Sequence, residues 1–219
     1  MSNQWFFPVH YALVESPEFK GFSTRERLAY LDLVYEFNKH RLLQGVDFHP
    51  LARTDSWWAE RLRISKKTFA NACSKFIGLK WVSCNRGFKL PGQPGVASRY
   101  NDVRFSNSGK GSGDYAGLLR VFWAKLILAL QRDRVEHIDL VTFALAGYLW
   151  RTCGGRSHGV ALVTKPTIVA WMPVTTFKAS LANLLQVLPA LLSFEEKYRH
   201  FRFLNWTGNW KGDKPKDKQ

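Results

Sequence analysis

The stretch from Arg53 to Val103 limits the fold of this chain most strongly, because it has the pattern of a helix-turn-helix followed by a two-stranded wing. Asp55 or Ser56 is predicted to cap a short first helix, and Arg63-Ile64 then makes a tight turn. A second helix is predicted to begin after a cap at Ser65. Two short helices joined in this way need a core behind them and leave one helix face outward.

The second helix of this motif has an apolar face and a polar face. Four apolar residues recur at positions i, i+3, i+4 and i+7 and are predicted to pack against the core: Phe69, Ala72, Cys73 and Phe76. The opposite face begins with Lys66 and Lys67 and carries Asn71, and Gly78 is predicted to end the helix. Lysine can meet phosphate or guanine in the major groove of DNA, and asparagine can pair with adenine. This face is therefore suited to reading DNA.

A hairpin is predicted after this helix. Lys80 to Cys84 alternates like a strand, Asn85-Arg86-Gly87 is predicted to turn, and Phe88 to Leu90 begins a return strand. Residues 91–98 are rich in glycine and proline and form the tip, and Arg99 to Phe105 is predicted to pair back. The hairpin would form the wing of a winged helix.

Charge supports a nucleic-acid partner for this segment. From Arg53 to Arg104 there are eleven Lys or Arg against three acids, a surplus of eight positive charges. The whole chain of 219 residues carries a formal net charge of +15 and a pI near 10.0. Such a chain repels itself unless it lies near a polyanion, and nucleic acid is the commonest one. We therefore expect the segment to bind DNA.

Composition argues against several other classes of protein. With 46% hydrophobic residues the chain can build globular cores. It has no uncharged apolar run of about 18 residues, no signal-peptide pattern and no lipidation motif, so we expect a cytoplasmic protein without a membrane partner. Cys73, Cys84 and Cys153 lack the spacing of a zinc site or a disulfide framework. No metal and no cofactor is predicted.

Two domains are predicted. Residues 1–105 form an N-terminal winged-helix DNA-binding domain, and residues 106–114, rich in glycine and serine, form a flexible linker. Residues 115–210 form a C-terminal winged-helix domain, and residues 211–219 form a basic disordered tail. The predicted fold class is α+β, mostly helical, with two tandem winged helices.

Further helices and strands are predicted on both sides of the linker. In the first domain, a long helix capped by Ser23 or Thr24 lies behind the helix-turn-helix. The second domain is predicted to contain helices from Tyr115 to Leu130 and from Leu140 to about Thr152, a short strand from Val135 to Asp139, a third helix capped by Thr175 or Thr176, and a strand from Tyr198 to Trp206.

Four dipeptides follow one another in the first half: Trp58-Ala59, Ile64-Ser65, Thr68-Phe69 and Trp81-Val82. In this order the first half resembles the winged helices of phage and plasmid replication proteins, although Lys80 stands where that pattern usually has glycine.

The second half carries four further features: the helix Phe143 to Arg151, the run Tyr148-Leu149-Trp150, the Gly154-Gly155 stop, and Leu188-Pro189-Ala190-Leu191 before a wing. By these features it is similar to the C-terminal winged helix of small plasmid replication initiators. The resemblance implies an initiator that binds repeated sites at an origin, opens the duplex, and recruits a helicase or other replication proteins. It also implies a protein without catalytic chemistry.

The predicted DNA contacts fall on the second helix and the wing of each domain. In the first domain they are Arg63, Ser65, Lys66, Lys67, Thr68, Asn71, Ser74, Lys75, Arg86, Lys89 and Arg99. In the second domain they are Thr176, Lys178, Ser180, Asn183, Arg199 and Arg202.

No set of residues with the spacing of an active site is found, so the protein is predicted not to be an enzyme. Six acids are assigned to surface-like positions: Asp32, Glu36, Asp47, Asp133, Glu136 and Asp139. The last three sit close together and are interpreted as a solvated turn with Arg132 and Arg134, rather than as the metal site of a nuclease.

Two other functions stay open. A transcriptional regulator would bind double-stranded DNA with the first domain and use the second for self-association or for an effector. A non-catalytic subunit of a larger nucleoprotein complex, such as a defence or CRISPR-type complex, would use the basic surface for contact with the nucleic-acid backbone alone.

Overall fold

The computed structural model describes residues 6–44, 51–89, 97–103, 115–152, 161–162, 171–189, 192–195 and 200–203. These residues form an α+β fold that is mostly helical, which confirms that part of the predicted fold class. The predicted linker and tail lie outside the described residues. No helix in the described ranges is long and apolar enough to cross a membrane.

The first half of the chain runs from β1 to β4. In chain order its elements are β1 (Phe6–His10), α1 (Tyr11–Glu15), α2 (Pro17–Gly21), α3 (Thr24–Gln44), β2 (Leu51–Thr54), α4 (Asp55–Leu62), α5 (Lys66–Gly78), β3 (Val82–Phe88) and β4 (Ala97–Val103). Strands β2, β4 and β3 form an antiparallel sheet in that order, with Leu51 opposite Tyr100 and Val82 opposite Val103.

The second half repeats this sheet order. Its elements are β5 (Tyr115–Leu119), α6 (Arg120–Gln131), α7 (His137–Thr152), β6 (Ala161–Leu162), α8 (Val174–Val187), β7 (Leu192–Glu195) and β8 (His200–Phe203). Strands β6, β8 and β7 form an antiparallel sheet in that order. In both halves the last strand therefore lies between the first two.

Local capping explains where the helices of the first half begin. The Ser23 amide donates to Glu26 Oε2 at 2.8 Å and the Glu26 amide donates to Ser23 Oγ at 3.4 Å, a reciprocal capping box that confirms Ser23 as a predicted cap. Ser65 caps α5 as predicted, since its Oγ accepts from the Thr68 amide at 3.0 Å. The predicted cap of α4 is wrong. Thr54, the last residue of β2, accepts from the Trp57 amide at 3.1 Å, because the strand runs directly into the helix.

The turn between α4 and α5 depends on an unusual backbone conformation at Arg63. This residue has φ 51° and ψ 46°, the left-handed region that ends many helices but that favours glycine. The turn is closed by hydrogen bonds from the Arg63 amide to the Glu60 carbonyl at 3.2 Å and from the Ile64 amide to the Ala59 carbonyl at 3.0 Å.

The predicted turn at Asn85-Arg86-Gly87 is wrong, because these residues lie inside β3. Gly87 has φ +96°, and the pairing with β4 shifts register between Arg86 and Phe88. A glycine in a strand often marks such an irregularity. Gly87 therefore indicates a β-bulge in β3 rather than a turn.

Three predictions for the second half are also wrong. Tyr115 to Leu119 is a strand and not the start of a helix, because its backbone pairs with β1. Val135 to Asp139 is not a strand, since α7 already begins at His137. Helix α8 begins at Val174, which puts Thr175 and Thr176 inside it, and its N-cap residue Pro173 makes no side-chain cap.

The two halves share a sheet and a core. Strand β1 pairs with β5 along its whole length, from Phe6 opposite Leu119 to His10 opposite Tyr115. Phe7 packs edge-on against Trp123 with ring centroids 5.2 Å apart, inside one continuous cluster of buried side chains from both halves. The boundaries at residues 105 and 115 stay predictions, but the described residues on their two sides do not pack as independent units.

Polar contacts also join the halves. The Arg27 guanidinium donates to the Trp171 carbonyl at 2.5 Å, and the Trp171 indole donates to the Val14 carbonyl at 3.2 Å. His137 Nε2 donates to the Leu62 carbonyl at 2.8 Å, at the end of α4. The α4–α5 turn is therefore held from the second half.

A buried charge network lies where α3, α4 and α6 meet. Arg61 Nε and NH2 donate to the two carboxylate oxygens of Asp32 at 2.7 and 3.0 Å, and NH2 lies 3.0 Å from Glu36 Oε1. The Trp123 indole donates to Asp32 Oδ1 at 2.8 Å. Asp32 and Glu36 are buried, so their predicted surface positions are wrong, and so is that of Asp139. An acid can occupy a buried helix face when a cation and an N–H group face it.

Replacing Arg61 by methionine should lower the free energy of unfolding by about 3 to 5 kcal/mol, because it leaves the buried Asp32 carboxylate without its cation and leaves Glu36 with Lys39 alone, at 3.5 Å. Urea unfolding followed by tryptophan fluorescence measures the change. The matched control is Arg25→Met at an exposed position of α3, which should change stability by less than about 0.5 kcal/mol. Equal stability of the two variants would contradict the role given to the network.

Candidate nucleic-acid interface

Helix α5 turns one face to the core and the other to solvent, as its sequence predicts. Phe69, Ala72, Cys73 and Phe76 are all buried with no exposed surface. Lys66, Lys67 and Asn71 are exposed on the opposite face. A helix that is buried on one side and polar on the other can enter a DNA groove while its apolar face stays packed against the core.

Aromatic packing fixes the position of α5. Phe69 stacks on Trp58 of α4 with centroids 5.2 Å apart and an interplanar angle of 10°, and Tyr100 of β4 packs edge-on against the same indole at 5.9 Å. Phe76 lies against Phe22 at 5.5 Å. Large rings packed from three elements leave the helix little freedom to shift, so its outer face is pre-formed.

Several of the predicted contact residues serve the helix itself. Besides capping α5, the Ser65 hydroxyl lies 2.8 Å from the Thr68 hydroxyl. Ser74 donates to the Ala70 carbonyl at 2.9 Å. These hydroxyls are exposed or partly exposed, but each forms a hydrogen bond with a residue of α5 or its cap.

The predicted cations divide into two groups. Three of them form ion pairs with acids on other elements: Arg63 with Asp133, Lys75 with Glu26, and Arg86 with Asp55. Lys66 and Lys67 form no ion pair with a described residue, and Lys89 and Arg99 are exposed. The first turn of α5 therefore carries two exposed cations that no carboxylate of a described residue engages.

The environment of the paired carboxylates changes their pKa values in opposite directions. Partial burial alone would raise the pKa of the Glu26 carboxyl, but hydrogen bonds from Lys75 and Ser23 outweigh it and hold that pKa below its usual value. Burial raises the pKa of the Asp55 carboxyl, and the charge of Arg86 offsets it only in part. The Glu26 pair therefore stabilises the fold at neutral pH and loses this contribution as acid protonates the carboxylate.

The predicted contacts on α8 are placed differently. Ser180 is buried and donates to Asp139 Oδ1 at 2.5 Å, while Asn183 donates to Asp139 Oδ2 at 2.7 Å. The prediction that Ser180 faces outward to DNA is wrong. Asn183 is half-buried, and its bond to Asp139 was not predicted. Thr176 and Lys178 are half-buried. Arg199 and the side chain of Arg202 lie outside the described residues.

Spacing could have revealed the position of Ser180. It lies three residues after Phe177 and four before Leu184, which puts it within the apolar stripe, although its hydroxyl suggested the opposite face. Its partner Asp139 is on α7, and no local pattern links the two residues.

Sequence reasoning also missed groups beside α5. Trp57 of α4 has two guanidinium groups near its ring, that of Arg53 at 4.9 Å and that of Arg61 at 5.3 Å from the ring centroid. Cys73 and Cys84 are free thiols, and their mutual hydrogen bond together with burial raises the pKa of Cys73. In the ranges that the structure describes, no three metal-ligating side chains come together.

No protein-family model, curated protein or solved structure matches this chain. The likeness to replication initiators therefore stays a prediction, and the geometry around α5 is the basis for a functional proposal.

Replacing Ser180 by alanine should destabilise the protein by about 1 to 3 kcal/mol, because it removes the hydroxyl that donates to Oδ1 of the buried Asp139 carboxylate, while Asn183 and the Glu136 amide still donate to Oδ2. It should not alter binding to nucleic acid, since the hydroxyl does not reach the surface. Thermal unfolding of this variant and of Ser74→Ala, the exposed control on α5, tests the first point. A change in stability as small as that of Ser74→Ala would mean that Asp139 does not depend on the hydroxyl.

Proposed function

We propose that this protein binds double-stranded DNA and that α5 is its recognition helix. The observation that carries the proposal is the outer face of α5, where Lys66, Lys67 and Asn71 project from a helix held rigidly from behind. Cations at the start of such a helix suit phosphate or guanine, and an amide one turn further suits adenine.

The order of elements supports a winged-helix assignment for the first half. Helix α3 precedes β2, helices α4 and α5 follow with a tight turn between them, and β3 and β4 form the hairpin beside them. In the sheet β4 lies between β2 and β3. This arrangement supports α5 in the groove and strands β3 and β4 near the phosphate backbone.

The repeated sheet order of the second half supports a tandem arrangement of two winged helices. Helix α8 then corresponds to α5, and α7 corresponds to α3. Together with the sequence resemblance, two such units in one chain favour a replication initiator that binds origin repeats and recruits replication proteins.

A transcriptional regulator is the second candidate, and the composition of α8 favours it. The exposed residues of α8 are uncharged: Thr175, Ala179, Ala182 and Gln186. Its polar residues Ser180 and Asn183 are turned to Asp139 instead. If α8 contacts protein rather than DNA, the first half alone reads the sequence.

Replacing Lys66 and Lys67 together by alanine should weaken binding to any duplex. It should also flatten the dependence of log affinity on log salt by about one unit per lost phosphate contact. Fluorescence anisotropy with a mixed-sequence duplex at several salt concentrations measures both. The matched control is Lys20→Ala with Lys125→Ala, which removes the same charge from exposed positions on α2 and α6. If both double variants have equal salt slopes, α5 is not the main site of phosphate contact.

Replacing Asn71 by alanine should reduce discrimination between preferred and mixed sequences by about 1 to 3 kcal/mol, while binding to mixed sequence is nearly kept. Selection from a pool of randomised duplexes first supplies the preferred sequence. Gln186→Ala removes an exposed amide from α8 and serves as the control. Equal weakening on both kinds of DNA would mean that Asn71 positions the helix rather than reading a base.

A further inference from the structure

Three carboxylates surround α5, and each pairs with a cation that the sequence assigns to DNA. Glu26 at the start of α3 lies 2.5 Å from Lys75 Nζ, and Asp55 at the start of α4 lies 2.5 Å from Arg86 NH2. Asp133, in the connection between α6 and α7, pairs with Arg63. The acids thus come from three different elements, while their partners are on α5, beside its N-terminus and on the adjacent strand β3.

The cations in these pairs remain accessible to solvent. The exposed fractions of the side chains are 54% for Lys75, 40% for Arg63 and 29% for Arg86. Because one partner of each pair is exposed, water and salt screen these ion pairs, and their contribution to stability is modest. Their main effect is on what else the three cations can bind.

We propose that Glu26, Asp55 and Asp133 take the place of DNA phosphates toward Lys75, Arg86 and Arg63, and so lower the affinity of the protein for DNA of random sequence. The proposal rests on the proposed DNA-binding function. A cation that already has a carboxylate partner must exchange it for a phosphate. The displaced carboxylate then stays near the phosphate and repels it.

Counterion release also predicts that these ion pairs lower the affinity for DNA of random sequence. A cation that meets a DNA phosphate gains affinity because condensed salt ions leave the duplex. Part of this gain is offset when the cation must first leave a carboxylate, whereas Lys66 and Lys67 have no such partner among the described residues. Binding to random DNA then relies on cations without such a partner, Lys66 and Lys67 among them, and the three paired cations engage only where a well-fitting sequence brings the phosphates close.

The variants Glu26→Gln, Asp55→Asn and Asp133→Asn test this. Each should raise the affinity for a mixed-sequence duplex by about fivefold at about 0.15 M salt, and should steepen the salt slope by about one unit, as one more cation reaches phosphate. Glutamine keeps the capping box with Ser23, and asparagine tolerates the left-handed backbone of Asp133, φ 57°. Circular dichroism of each variant checks the fold.

The control is Glu60→Gln. Glu60 is an exposed acid on α4 that forms no ion pair with a described residue, so the substitution changes the net charge equally but releases no cation. If all three variants match Glu60→Gln in affinity and slope, the proposal is overturned. If the unaltered protein binds no duplex at all, the proposed function fails, and this outcome is distinguishable because it appears before any substitution is made.

Discussion

The carboxylate of Asp32 is the point on which the arrangement of helices depends. It is fully buried, and its two oxygens accept from Arg61 on α4 and from Trp123 on α6. A buried carboxylate that lost these donors would cost far more than an apolar residue in its place, so the three helices can meet in few other ways. The contact joins α4 to α3 and α6, and the α4–α5 turn joins α4 to α5.

The two halves are related by more than a shared order of elements. Strand β1 pairs with β5, which opens the second half as β1 opens the first, and α3 packs against α7, the corresponding long helix. Equivalent parts of the halves thus face one another across the middle of the molecule. The second half therefore packs directly against the first.

Features that depend on nearby residues could be predicted from the sequence. The capping box of Ser23, the extent of α5 and its buried face all follow from contacts within one or two turns. Features that depend on distant partners could not. The strand at Tyr115 to Leu119 has the apolar residues of a helix and becomes a strand only because β1 is there to pair with it.

In the candidate site, too, features set by nearby residues could be predicted and features set by distant residues could not. The exposed face of α5 could be predicted because its period is local, whereas the pairing of Arg63 with Asp133 joins residues on different helical connections. Counting charge along the chain gave a surplus of cations but gave no information on which of them a carboxylate had already engaged. That information exists only in the folded chain.

The pairing of β1 with β5 also has a consequence for synthesis. Phe6 and Leu119 are partners although they are more than 100 residues apart in the chain, so β1 emerges from the ribosome long before its partner strand. During this interval the edge of β1 and the apolar surface around Phe7 have nothing from the second half to cover them, which is the condition under which nascent chains bind chaperones or associate with one another. The rate of translation through the middle of the message thus sets how long the growing chain is exposed in this way.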